Sequence, residues 1–137
     1  MKNYVFILVS FLLLSITLCG DINAAADYVS SHAGAQSQHR CAEFVANALQ
    51  YGGGFVFDRQ RSAYMYHTNG ILSKLGFTEI DRPSSPLKGD VYVQMNTASH
   101  GDGHMAMYDG RNWCSDFRQN SDQIYRSDAG ERHYYRY

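Results

Sequence analysis

The sequence predicts a small α+β domain, with helices in its first half and an antiparallel sheet in its second. Three observations carry that prediction. Apolar residues recur at helical spacing between Cys41 and Tyr51. Alternating or continuously apolar runs of strand length gather after Val91. Asp109-Gly110, a strong hairpin signal, separates two of those runs. Helices followed by strands, without regular βαβ alternation, mark the α+β class.

Taken in order, the chain opens with Lys2 and an apolar stretch from Tyr4 to Leu18, followed by the small residues Ala24, Ala25 and Ala26. A short positive region, an apolar stretch and then small residues is the pattern of a secretory leader. The expected organisation is a signal peptide over 1–26 and a single domain over 27–137, exported to the periplasm or outside the cell. Cys19 follows Leu18, which is too large for a lipoprotein processing site, so no lipid anchor is expected. Asp27 to His39 is small and polar and reads as a loop.

A helix is predicted over about 40–51, with Cys41, Phe44, Val45, Ala48 and Leu49 on one face. Ser37 is available to cap it, and Gly52, Gly53 and Gly54 stop it. A second helix is predicted over about 62–75, with Gly70 as a point of breakage and Gly76 as the stop. Phe77 to Ile80 reads as a short strand, and Asp81 to Gly89, with both prolines, as a loop. The remaining predicted strands are Val91 to Met95, His104 to Tyr108, Trp113 to Phe117 and Arg132 to Tyr137.

Composition excludes several function classes. Twelve Lys and Arg stand against 13 Asp and Glu, a net charge of -1, with no basic run to neutralise phosphates, so a nucleic-acid partner is not expected. No second apolar stretch approaches the length of a bilayer span, so no membrane association is expected once the leader is removed. At 45% hydrophobic and 14% aromatic residues the chain can build a core.

Three residues stand out chemically. Cys41 begins a helix, where free N–H groups and the helix dipole favour thiolate and can hold an oxyanion. The competing reading is a buried cysteine of purely structural use. His104 follows a glycine-rich loop and opens an apolar strand, a place suited to a general base. Hairpin pairing across Asp109-Gly110 would bring Asp116 level with His104 as the residue that orients the imidazole, with Asn120 and Asp102 as alternatives. Trp113 and Tyr108 offer aromatic surface for a glycan or peptide groove, against ordinary packing.

Those residues lie in stretches that resemble the CHAP family, the cysteine- and histidine-dependent amidohydrolase/peptidase domains of the papain-like superfamily. The stretches are Cys41-Ala42-Glu43-Phe44-Val45, Leu75-Gly76-Phe77, Lys88-Gly89-Asp90-Val91, Gly103 to Gly110, and Trp113 with Ser115 to Gln119. The resemblance implies a Cys-bearing helix packed on an antiparallel sheet, with Cys41 as nucleophile, His104 as base and Asp116 as the orienting residue. It implies a cysteine hydrolase that cleaves amide bonds in bacterial peptidoglycan through a thioester, as amidase or endopeptidase, without metal or cofactor. An immunity protein would be the partner of such an enzyme acting as a toxin, and the chain is expected to be a monomer. The alternative is a non-catalytic binding or inhibitor protein on the same fold, with a Cys41–Cys114 disulfide. A metal site at His100, Asp102 and His104 is disfavoured, since their spacing on a glycine-rich loop lacks the order of zinc motifs.

Overall fold

A computed structural model describes residues 19–137. The apolar stretch Tyr4 to Leu18, on which the expected leader rests, lies outside the described residues. The elements are helices α1 (Ile22–His32) and α2 (Cys41–Asn47), a π-helical turn (Ala48–Gly52), short helices α3 (Met65–Thr68) and α4 (Ile71–Lys74), and six strands. The strands are β1 (Thr78–Ile80), β2 (Val91–Gln94), β3 (His104–Tyr108), β4 (Trp113–Cys114), β5 (Arg118–Gln119) and β6 (Arg132–Arg136). They form one sheet in the order β1-β6-β2-β3-β4-β5, antiparallel throughout. The α+β expectation therefore holds at the level of class.

α1 corrects the first half of the loop expected over Asp27 to His39, where helix runs to His32 and across the 26/27 boundary, while Ala33 to His39 is irregular as expected. Ile22, Ala25, Ala26 and Val29 share one face, and the last three are fully buried. Asp21 caps the helix by accepting the Ala24 N–H at 3.0 Å, and its own N–H bonds the Gly53 carbonyl at 2.8 Å. The helix is thereby tied to the π-helical turn that follows α2. The predicted second helix is indeed split at Gly70, whose φ of 64° is the left-handed conformation that glycine adopts without a Cβ penalty.

The larger core lies between the helices and one face of the sheet. Val91, Val93, Met105 and Met107 from the strands meet Ala26, Val29, Val45 and Leu49 from the helices. Alternation along the same strands sends Tyr92, Ala106 and Trp113 to the opposite face, where they pack with Tyr134. Strand β6 enters between β1 and β2, so the chain's last strand is internal. Its Arg136 makes a two-pronged bond with buried Asp90, at 2.9 and 2.8 Å, which anchors the end of the proline-containing loop.

The predicted strand Trp113 to Phe117 is shorter than expected. It stops at Cys114, and Ser115 to Phe117 form a turn into β5. Gly34 pairs with this turn: its N–H bonds the Asp116 carbonyl at 2.9 Å, and its carbonyl accepts the Arg118 N–H at 2.9 Å. The chain between α1 and α2 is thus stitched to the turn that carries Asp116.

Candidate functional site

Where the start of α2 meets the start of β3, a cleft of about 490 Å³ opens to the surface. Cys41, His104 and Asp116 all line it, so the fold does bring the three residues together. Tyr125 and the loop Ser99 to Gly103 form other parts of the wall. Gly103 makes the close approach of that loop possible. Its φ is 68°, and a Cβ there would lie 2.2 Å from the Gln94 carbonyl oxygen.

The roles within the cleft differ from those expected. His104 is 4% exposed, and its Nε2 lies 2.7 Å from Gln119 Oε1. The Gln119 amide nitrogen donates to Tyr92 Oη at 2.9 Å and to the Ser121 carbonyl at 3.0 Å. A carbonyl can only accept, so the Gln119 orientation is fixed and its Oε1 must accept from His104. The His104 proton therefore sits on Nε2, and Nδ1 is the ring's acceptor. Gln119 orients the imidazole, and Asp116 does not.

Asp116 serves the backbone instead. It is fully buried, and its Oδ2 accepts the N–H groups of Gln38 at 2.5 Å and Arg40 at 3.1 Å. Its Oδ1 accepts the Ser115 hydroxyl at 3.0 Å. This carboxylate holds the segment leading into α2, the task expected of Ser37. Ser37 makes only a 3.4 Å contact with the His39 N–H, and α2 has no side-chain cap bond. Asp116 misses His104 because strand pairing ends two residues before it.

The charge states also depart from expectation. Burial pushes the Cys41 thiol up to about 11, despite the opposing backbone amides of Met105 and Ala42, and nearby Asp116 pushes in the same direction. Desolvation outweighs the helix-end effect, so Cys41 is a neutral thiol at pH 7. Burial likewise lowers the His104 pKa below the ordinary imidazole value, against the raising effects of Gln119 and Asp116. The cleft floor presents an uncharged thiol and an uncharged imidazole. Among the described residues no hydrogen bond joins the two.

Cys41 and Cys114 are both free, which corrects the disulfide in the alternative reading. Cys114 is fully buried, with its thiol 3.5 Å from Asp109 Oδ2. Trp113 and Tyr108 belong to the aromatic cluster on the other sheet face and border a different cleft, with Arg82 and Asn112. They are not part of the Cys41 site. His100, Asp102 and His104 have separate partners, since His100 stacks on Tyr125 and Asp102 accepts the Ser62 hydroxyl at 2.6 Å.

No protein-family model matches the chain, and no curated protein matches it. Two solved structures do. One is the type VI native effector–immunity complex Tae3–Tai3 from Ralstonia pickettii, a chain of which is 38% identical at a TM-score of 0.72. That match covers 85% of this chain and 98% of the other. The selenomethionine form of the same complex matches at 38% identity and TM-score 0.72, covering 82% and 99%. The chain belongs to the type VI effector–immunity family that this complex represents.

This finding corrects the CHAP resemblance and what it implied. The matches lead to an effector–immunity complex and to no papain-like catalytic family. Assignment as a cysteine hydrolase of peptidoglycan is withdrawn with it. The neutral Cys41–His104 floor and the engagement of Asp116 with backbone amides agree with that correction. Gln119 is the residue that sequence reasoning missed in this site. Its place four residues after Ser115, beyond a turn, carries no local signal that it reaches His104.

Proposed function

We propose that this protein is a non-catalytic binding protein of the immunity type, acting by docking onto a type VI effector. The observation that carries the reading is the 38% identity, over nearly the whole partner length, to a chain of a complex that holds an effector and its immunity protein together. The Cys41 cleft supports it as a docking centre. Its thiol and imidazole are neutral and His104 is already oriented by Gln119, so covering them with a partner desolvates no ionised thiol or imidazole.

Export completes the proposal. The apolar stretch ahead of the domain supports a location in the periplasm or outside the cell. We place the end of the leader upstream of Asp21, because cleavage at either Ala24 or Ala26 would remove the Asp21 cap of α1, and cleavage at Ala26 buried Ala25 and Ala26 as well.

Chromatography of peptidoglycan incubated with the purified protein tests the absence of turnover. The expected result is an unchanged muropeptide profile for both wild type and Cys41→Ala. New products that disappear in Cys41→Ala would overturn the proposal.

A further inference from the structure

Away from the cleft, at the β1 side of the sheet, three side chains from three elements converge. They are His67 of α3, Glu79 of β1 and His133 of β6. Each offers one ligand atom, and those atoms lie within 4.8 Å of one another. The two imidazoles stack at 3.6 Å between centroids, 13° from parallel. His133 Nδ1 lies 2.5 Å from Glu79 Oε1, and His133 Nε2 lies 3.7 Å from Glu131 Oε2.

We infer that His67, Glu79 and His133 form a binding site for a divalent transition metal of the zinc type. Two imidazoles and one carboxylate are the borderline nitrogen and oxygen donors that suit zinc, cobalt and nickel better than magnesium or calcium. Ligands about 2.0–2.1 Å from a tetrahedral ion stand roughly 3.4 Å apart, so the existing cluster needs a shift of about an ångström. Glu79 can supply that movement, because its side chain is half exposed. His67 is already oriented by a hydrogen bond between its Nδ1 and the Tyr135 hydroxyl. That bond leaves Nε2 as the free ring nitrogen, the outer-sphere arrangement that ligating histidines usually have. Glu131 or water would take the fourth position.

The packing also favours ligation. Stacking holds the His67 and His133 rings side by side, within reach of the Glu79 carboxylate. The bound ion would staple α3 and β1 to β6. The inference stands apart from the proposed function, since none of its residues lines the Cys41 cleft.

The test is titration of the untagged protein with Co²⁺, read by visible d–d absorption and followed by competition with Zn²⁺. The expected result is saturation at one equivalent, with no thiolate charge-transfer band and with displacement by Zn²⁺. Glu79→Gln and His133→Ala should each weaken binding about tenfold or more. Cys41→Ala and His32→Ala, at a thiol and an exposed histidine outside the cluster, should leave it unchanged. Glu79→Gln alters a half-exposed side chain, so it reports on binding even where His133→Ala folds poorly. Absence of saturable binding, a band lost in Cys41→Ala, or unchanged affinity in Glu79→Gln would overturn the inference.

Discussion

Cys41 shows how two residue-scale effects compete and which one wins. Its position at the first turn of α2 favours thiolate, but burial raises the pKa to about 11. At pH 7 iodoacetamide should therefore react about two orders of magnitude more slowly than with a free cysteine, whose pKa is about 8.5. The rate should climb about tenfold per pH unit until near 11, which a stopped alkylation series followed by mass spectrometry would read. Fast modification at neutral pH would contradict the neutral thiol. His104 gives the opposite sign in stability. Its folded pKa is lowered, so its contribution is present above the unfolded value of about 6.5 and is lost as pH falls below it. His67 is lowered in the same direction. Urea unfolding should show stability falling on acidification below about 6.5, with a shallower fall in His104→Gln. Asp116→Ala should cost roughly 3 kcal/mol, because two part-buried backbone N–H groups lose their buried carboxylate acceptor. Cys41, His104 and Asp116 were legible in the sequence as neighbours. Their roles were not, because Gln119 reaches His104 only through the turn at Ser115 to Phe117, and burial is not a property of local spacing.

Among the elements, the parts governed by local pattern were readable. The Cys41 helix, the break at Gly70, β2, β3 and the Asp109-Gly110 turn follow from spacing and turn chemistry. α1 was equally readable in principle, since Ile22, Ala25, Ala26 and Val29 have helical spacing behind a capping Asp21. The run Ala24 to Ala26 also fits a leader's processing site, a signal that competes with the helical pattern. The place of β6 between β1 and β2 is a pairing of distant segments, which no local signal encodes. Gly103 is the element-scale position most sensitive to change. Gly103→Ala would combine an unfavourable φ with a clash against Gln94, so a loss of about 2 kcal/mol or more is expected in thermal or urea unfolding. The same substitution should lift the Ser99 to Gly103 loop and deform the cleft wall.

For the molecule as a whole, the near-neutral charge and the mixed α+β architecture fit many functions, and the site alone suggested an enzyme. Similarity over 85% of the chain to a component of an effector–immunity complex points away from that, a relationship carried by overall shape and sequence. With a net charge of -1, partner binding should depend on shape and hydrogen bonding more than on long-range attraction. Its affinity should change little between low and physiological salt, which a salt series in calorimetry would show. Docking onto an effector is tested by titrating the protein, in parallel calorimetric runs, with purified Tae3 and with purified Tai3. The expected result is saturable one-to-one binding to Tae3, weakened by Tyr125→Ala at the cleft wall, and no heat with Tai3. Binding to Tai3 and none to Tae3 would contradict it and place the chain on the effector side of the pair.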